Sequence, residues 1–221
     1  MDNQLTYIGI IRESRSDENR TPIVPEHIKN IKENNPDINF IIQPSDNRCF
    51  SDKEYELSGA KISEDLQKCS IIFGVKEIDP NFLMNNKTYL FFSHTFKINK
   101  DQKYIEEKKE ELLLSILNKK VKLIDYENIR DKKSNRCLGF GRFAGIVGCY
   151  NTLNLFLKRL GKQSLASAYK INDYKRLVLN LKNLYFPKTK ILVTGDGRVS
   201  KGVIELLNLS LIHISEPTRQ L

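Results

Sequence analysis

The stretch Ser70-Ile71-Ile72-Phe73-Gly74-Val75-Lys76-Glu77 decides the fold class. Its residues 71–75 form a short apolar run of strand length, and two charged residues follow directly. A continuous apolar run of this length is typical of a buried strand in a parallel sheet. Parallel strands need helices between them, because the chain must return to the same end of the sheet before each new strand.

The same alternation continues on both sides of this run. Further strands are predicted at residues 7–11, 39–42, 88–92 and 121–124, and helices at 25–33 and 102–117, with another helix start at Asp79-Pro80. Short strands separated by helices of about 10–15 residues predict βαβ units. We therefore predict an α/β fold, in which a parallel-sheet, Rossmann-like substrate domain precedes the truncated start of a Rossmann dinucleotide-binding domain.

A glycine-rich passage marks the predicted domain crossover. It reads Leu138-Gly139-Phe140-Gly141-Arg142-Phe143-Ala144-Gly145. We predict a substrate-binding domain over residues 1–138 and crossover helices within 139–189, at about 143–160 and 172–184. The small residues Ala144, Gly145 and Gly148 would let the first of these helices approach another backbone closely.

Residues 190–209 are predicted to begin the dinucleotide-binding domain. An apolar β-run, Ile191-Leu192-Val193-Thr194, leads into a glycine-rich turn and an amphipathic helix. Gly195 and Gly197 would allow a tight turn against a pyrophosphate, with Ser200 in the place of the usual third glycine. The GxGxxS pattern is weak evidence alone, and an ordinary turn is the alternative; the strand before it and the helix after it favour the cofactor interpretation.

The last residues, 210–221, do not continue this pattern. A dinucleotide unit needs a second strand soon after its first helix, whereas the chain reads Ser-Leu-Ile-His-Ile-Ser-Glu-Pro-Thr-Arg-Gln-Leu. This tail resembles a translated sequencing adapter, and the alternative is a divergent strand. We therefore expect His213 to have no function, and we expect the 221 residues alone not to turn over substrate.

Composition excludes several classes of function. The net charge is +9, but lysines alternate with acidic residues as on a solvated helix face, so we expect no nucleic-acid partner. No apolar run approaches the roughly 18–20 residues of a membrane span. The four cysteines lack metal-ligand spacing, which predicts no metal site and a reducing compartment. No targeting segment is visible at the start, and we expect a cytoplasmic or mitochondrial protein.

Three polar residues follow predicted strands at the edge where open α/β sheets bind ligands. They are Arg20, Lys76 and His94, and Glu77 is a candidate partner that orients them. Each alone could be an ordinary surface residue; their shared placement favours a joint site. An arginine can bind a substrate carboxylate, and lysine and histidine can exchange protons. The set suits the making or breaking of a C–N bond through an imine, with hydride transfer to or from a nicotinamide.

The same segments resemble a known family. The most specific pieces are Arg12-Glu13, Gly74-Val75-Lys76, Phe92-Ser93-His94, Asp125-Tyr126-Glu127 and the Phe140-Gly141-Arg142-Phe143-Ala144-Gly145 passage. They are similar to the family that contains alanine dehydrogenase, the transhydrogenase N-terminal region and the saccharopine dehydrogenases, and most of all to its lysine-ketoglutarate reductase branch. The resemblance runs from about residue 8 to residue 208.

The resemblance implies a reaction and roles. Lysine and 2-oxoglutarate would condense to saccharopine, with NADP or NAD as the cofactor and a possible fusion to a saccharopine dehydrogenase domain. Lys76 and His94 would be the proton-transfer pair, Arg20 and Glu77 would contact the substrate, and Gly195, Gly197 and Ser200 would bound the pyrophosphate. Two alternatives remain: a lysine-forming saccharopine dehydrogenase or alanine dehydrogenase, and a non-catalytic substrate-binding domain.

Overall fold

A computed structural model describes residues 5–95, 103–171, 173–182, 184–187 and 189–210. The chain divides into two compact units, Met1–Leu138 and Gly139–Leu221. None of the helices among the described residues is long and apolar enough to cross a lipid bilayer.

The first unit is a six-stranded parallel sheet with helices between its strands. Its elements in chain order are β1 (Thr6–Ile10), α1 (Pro25–Asn34), β2 (Ile38–Ile42), α2 (Asp52–Leu57), β3 (Lys61–Ile62), β4 (Ile71–Phe73), β5 (Thr88–Phe91), α3 (Lys103–Asn118) and β6 (Lys122–Asp125). The strand order is β3-β2-β1-β4-β5-β6, with every neighbouring pair parallel. This confirms the predicted α/β class.

Side chains that alternate along the strands fill a core on each face of the sheet. Ile42 and Phe40 pack with Ile28 of α1 and Tyr55 of α2 on one face. On the other face, Ile72, Tyr89 and Phe91 pack with Leu112 and Ile116 of α3. The two faces are covered because each βαβ crossover places its helix against the sheet. The sheet therefore holds its strand ends, and the loops that follow them, in fixed positions.

Several element bounds differ from the predictions, each for a local reason. The strand predicted at 71–75 ends at Phe73, because Glu13 takes the next two main-chain donors on the β1 side. Asp79-Pro80 opens only a short 3-10 turn, Pro80–Phe82. The helix α2 was not predicted, although Ser51 and Glu54 form the capping box that could have indicated it.

In its described residues, the second unit contains three α-helices with their own core, and a short 3-10 helix at Ala168–Lys170. The α-helices are α4 (Gly141–Arg159), α5 (Tyr174–Lys182) and α6 (Arg198–Ser210). Tyr150, Leu181 and Leu206 are fully buried between them. The strand predicted at residues 191–194 is absent from the described part of this unit. A strand is defined by hydrogen bonds to a neighbouring strand. The described residues of the second unit contain no strand that could be this neighbour.

Close packing of α4 and α6 depends on two glycines. A methyl group at Gly145 would lie 1.9 Å from the carbonyl oxygen of Val199, and one at Gly202 would lie 2.0 Å from that of Arg142. These distances are far shorter than any van der Waals contact, so the two backbones meet where side chains are missing. The predicted close approach is confirmed at Gly145, whereas a methyl group at Gly148 would meet nothing within 4 Å.

Candidate active site at the strand ends

The strand order places a crevice between β1 and β4. The chain runs from β1 outward to β3 on one side and from β4 outward to β6 on the other. At such a switch point, the loops after two neighbouring strands leave in opposite directions and open a crevice at the carboxyl edge of the sheet. The loop after β1 carries Arg20, and the segment after β4 carries Lys76 and Glu77. The fold therefore places these three residues after the two strands that flank the switch point.

Glu13 connects the two sides of the switch point. Its carboxylate accepts the backbone N–H of Val75 at 2.6 Å and that of Lys76 at 3.0 Å. Burial raises the pKa of Glu13, although both backbone hydrogen bonds oppose this shift. The sequence analysis gave Glu13 no role. The only signal in the sequence was its place in the Arg12-Glu13 motif.

Arg20 is held by an acidic residue of its own loop. Glu18 is buried and accepts hydrogen bonds from both Nε and Nη2 of Arg20, the former at 2.7 Å. Burial acts to raise the pKa of Glu18, but the hydrogen bonds from Arg20 outweigh it and the pKa is lowered. Two donors of the guanidinium fork predicted to bind a substrate carboxylate thus contact Glu18. This fixes where the charge of Arg20 lies at the crevice.

Lys76 shares its surroundings with the Arg20 loop. Its side chain is half-buried. Its charge acts on the carboxylates of Asp17 and Glu18 and helps to lower the pKa of each. Those two acids lie in the loop after β1, whereas Lys76 lies after β4. The charges of Lys76 and Arg20 therefore both act on the carboxylate of Glu18.

His94 follows β5 and contacts Glu77. The Nδ1 atom of His94 hydrogen-bonds the Oε1 atom of Glu77, and its Nε2 atom lies 4.0 Å from Oε1 of Glu127. The ring stacks on Phe92 with the centroids 6.4 Å apart and the planes at 18°. The backbone of His94 is left-handed, with φ at 53°. Such a conformation costs about 1–3 kcal/mol in a residue with a side chain, and it occurs at active sites as well as in ordinary turns.

Asp125 supports the His94 loop from β6. Its Oδ2 atom accepts the backbone N–H of Ser93 at 3.2 Å and also the Ser93 hydroxyl, while Oδ1 accepts the N–H of Glu127 at 2.8 Å. Ser93 and Asp125 are both buried. One carboxylate thus fixes the residue before His94 and the residue that faces its ring. Asp125 and Glu127 belong to the Asp125-Tyr126-Glu127 motif, but nothing in the sequence alone assigns either a role.

The predicted cofactor residues lie in the second unit. Gly195 has a left-handed backbone, with φ at 79°, and Gly197 directly precedes α6. The buried Ser200 donates its hydroxyl proton to the carbonyl oxygen of Gly197 at 2.9 Å, which fastens the turn to the first turn of the helix. An exposed glycine turn before a helix of 13 residues fits a pyrophosphate, because main-chain N–H groups and the helix dipole favour an anion there.

Fold and site together define a class of protein: a Rossmann-type α/β chain with ionisable side chains gathered at its switch point. A profile described as "Alanine dehydrogenase/PNT, N-terminal domain" matches residues 9–147. The chain therefore belongs to this family of oxidoreductase domains.

Relatives of known name agree with this assignment. The chain is 34% identical to the mouse protein "Alpha-aminoadipic semialdehyde synthase, mitochondrial", over 90% of this chain and 23% of the mouse protein. It is 34% identical to the Arabidopsis thaliana alpha-aminoadipic semialdehyde synthase, over 73% of this chain and 15% of that protein. The chain thus spans less than a quarter of the length of either relative.

A solved structure shares the fold. An L-alanine dehydrogenase superposes with a TM-score of 0.66 at 16% identity, covering 93% of this chain and 53% of the other. At this level of identity, the likeness concerns the fold. It places this chain in the same α/β architecture as a dehydrogenase.

Proposed function

We propose that the chain forms the substrate-binding part of an NAD(P)-dependent lysine-ketoglutarate reductase. The observation that carries the proposal is the gathering of Lys76, the His94–Glu77 pair and the Arg20–Glu18 pair after neighbouring strands of a family member. Similarity to two alpha-aminoadipic semialdehyde synthases supports the lysine branch. In the proposed reaction L-lysine, 2-oxoglutarate, NAD(P)H and a proton give saccharopine, NAD(P)⁺ and water.

The proposed chemistry assigns one task to each group. Arg20, oriented by Glu18, binds a carboxylate of 2-oxoglutarate. The ε-amine of the substrate lysine attacks the ketone carbon, and loss of water from the adduct leaves an imine. Lys76 and His94 move the protons that these steps require at the substrate nitrogen and oxygen. A nicotinamide cofactor, held at Gly195, Gly197 and Ser200, would supply the hydride for reduction of the imine carbon.

His94 is prepared for this task by its neighbour. The contact with Glu77 at Nδ1 fixes the orientation of the ring, and the longer 4.0 Å separation from Glu127 leaves Nε2 as the nitrogen that exchanges protons with the substrate. Glu77 thus acts on the substrate through His94.

We extend the proposal to NADP or NAD bound at Gly195, Gly197 and Ser200, and to a saccharopine dehydrogenase domain in the same gene product. We place the enzyme in the cytoplasm or the mitochondrion, in line with the mitochondrial names of the mammalian relatives.

The test is an assay of the complete gene product. Oxidation of NADPH or NADH should require both L-lysine and 2-oxoglutarate, and mass spectrometry should identify saccharopine. Lys76→Met and His94→Gln should each lower kcat by about 100-fold or more, since general acid–base groups contribute on the order of 10²–10⁴. The exposed residues of α1 offer matched controls, Lys29→Met and His27→Gln, which should keep wild-type kinetics.

The alternatives predict different results in the same assay. Reduction of pyruvate with ammonia, and no reaction with lysine, would indicate an alanine dehydrogenase. A higher kcat/KM for saccharopine with the oxidised nicotinamide than for lysine and 2-oxoglutarate with the reduced one would indicate a lysine-forming saccharopine dehydrogenase. Binding of 2-oxoglutarate without any turnover would indicate a non-catalytic substrate-binding domain. Wild-type rates in both Lys76→Met and His94→Gln would exclude the proposed roles.

A further inference from the structure

The β1–β4 ladder ends just before the candidate site. Its last paired residues are Ile10 and Phe73, and one more hydrogen bond follows from the N–H of Ile11 to the carbonyl oxygen of Phe73 at 3.0 Å. Beyond this point β1 turns away into the loop that carries Arg20. The N–H groups of Val75 and Lys76 then donate to the side chain of Glu13. A carboxylate thus takes the place of a strand as the partner of the main chain at Lys76.

The same segment is fastened on its other side to β5. The N–H of Gly74 donates to the carbonyl oxygen of Leu90 at 2.9 Å, and the N–H of Phe92 donates to that of Val75 at 3.1 Å. Phe92 stands two residues before His94. The main chain from Gly74 to Lys76 is therefore held between Glu13 on one side and the strand that leads to His94 on the other.

The position of Glu13 is closely packed. A methyl group added at Gly74 would meet the Oε1 atom of Glu13 at 3.6 Å and Ile11 at 3.2 Å, so the carboxylate lies against the backbone of the segment it holds. Its charged neighbours are Glu18 and Arg20 of the same loop. Glu13 thus hydrogen-bonds the main chain of the lysine assigned to proton transfer and interacts electrostatically with the arginine assigned to the carboxylate.

We propose that Glu13 is a positioning residue, which fixes the main chain at Lys76 relative to the Arg20 loop and so sets where the Lys76 amine reaches the substrate. This inference rests on the proposed function, in which Lys76 exchanges protons at the reacting centre. A displacement of about 1 Å in a catalytic group can cost roughly 100-fold in rate. Hydrogen bonds between a charged carboxylate and two main-chain donors are suited to prevent such a displacement.

Two variants of the complete gene product test the inference. Glu13→Gln keeps the size of the side chain but has one acceptor oxygen in place of two, so at least one of the two N–H groups loses its partner. Glu13→Asp keeps the charge but is shorter by one methylene group. Ile72→Val is the control, because it removes a methyl group from the buried core of the same strand and leaves Glu13 unchanged.

Three measurements are made on each variant: hydrogen exchange at the amides of Val75 and Lys76, the kcat and KM for 2-oxoglutarate, and the pH dependence of kcat/KM. We expect faster exchange at both amides in the two Glu13 variants. We expect kcat to fall by about 10- to 100-fold with the KM changed by less than about threefold, and the pH profile of kcat/KM to differ from that of the wild type. Ile72→Val should keep the wild-type kcat and pH profile.

Some outcomes would overturn the inference. These are unchanged exchange at Val75 and Lys76, faster exchange with wild-type kcat, or an equal loss of kcat in Ile72→Val. An inactive wild-type protein would instead count against the proposed function alone. Exchange is measured without substrate, so it would still decide whether Glu13 holds the segment at Lys76.

Discussion

The charge of Arg20 lies at the crevice in an ion pair with Glu18. The pair is uneven, because the Glu18 side chain is 6% exposed and that of Arg20 is 43% exposed. The buried partner therefore fixes the geometry, and the exposed partner faces the solvent from which a substrate arrives. A carboxylate that binds Arg20 joins an acid already present, which restricts the directions from which it can approach.

The Arg20–Glu18 pair should make stability depend on pH. The folded-state pKa of Glu18 is lowered from 4.5, so the ionised form is favoured by folding. Its contribution is present above about pH 4.5 and is lost as the pH falls through the lower folded-state value. We expect Glu18→Gln to lose about 1 kcal/mol of unfolding free energy at pH 7, a figure reduced for the exposure of Arg20. Urea titrations from pH 7 to pH 3 measure it.

The difference between the two proteins should shrink with acidification. Below the folded-state pKa of Glu18, wild type and Glu18→Gln should have nearly equal stability, because both then carry an uncharged group at this position. The ionisation of Glu13 affects the free energy of unfolding with the opposite sign. Because its pKa is raised in the folded state, its ionisation disfavours folding as the pH rises. Glu13 is present in both proteins, but the Glu18 charge is one of the causes of its raised pKa, so Glu18→Gln reduces this effect and does not leave it unchanged. A constant difference at all pH values would contradict this account.

At the scale of elements, the α4–α6 crossing is the feature most sensitive to a single methyl group. Gly145→Ala should lower the unfolding free energy of the second unit by about 3 kcal/mol, because the added methyl group meets a backbone carbonyl that cannot move aside. Gly148→Ala, in the same helix but with open space around it, should gain about 0.5–1 kcal/mol from helix propensity. Thermal or urea unfolding followed by circular dichroism measures both. Equal effects of the two substitutions would show that the crossing does not require Gly145.

Asp125 links β6 to the loop after β5. Asp125→Asn keeps one acceptor oxygen but places an amide against the donors of Ser93, so we expect a loss of about 2 kcal/mol in unfolding free energy. Hydrogen exchange should increase at Ser93 and His94. Asp131→Asn is the matched control, because Asp131 makes a similar set of bonds within an exposed turn. Exchange near His94 that stays at the wild-type rate in Asp125→Asn would rule out this support.

Sequence patterns predicted the elements that contain a continuous apolar run better than those that lack one. Apolar runs such as residues 71–75 and 88–92 predicted buried strands because burial on both faces leaves little choice of side chain. The strand β3 has only two residues, Lys61–Ile62, which is too short for any periodicity. At 191–194 the composition is that of a strand, yet strand formation depends on a partner that local sequence does not supply.

At the scale of the whole molecule, ligand binding offers a measurement that needs no turnover. We expect 2-oxoglutarate to raise the thermal midpoint of the chain, since a ligand at about 100 times its Kd stabilises the folded state by roughly 2.7 kcal/mol. Arg20→Gln should abolish this shift, and Lys29→Met on α1 should keep it. An equal shift in Arg20→Gln and wild type would place the carboxylate elsewhere.

The sequence predicted the charged residues of the candidate site better than the residues that hold them in position. Arg20, Lys76 and His94 were identified because their types suit the chemistry and their positions follow strands. Glu13 and Asp125 were missed, because each acts through a contact with a residue that only the fold brings near. Glu18 was missed although it stands two residues from Arg20 in the chain. Glu13 meets Val75 and Lys76 from more than sixty residues away in the chain.

The hydrogen bonds between Glu13 and the main chain have a consequence for how the chemistry of such a site can change. Glu13 binds amide groups that every residue except proline possesses, so it does not depend on which side chain stands at position 76. The hydrogen bonds that hold the main chain at position 76 are thus independent of the side chain that reacts there. A substitution at position 76 would change the reacting side chain and leave the main chain in place. Single substitutions can therefore give the same fold a different reaction.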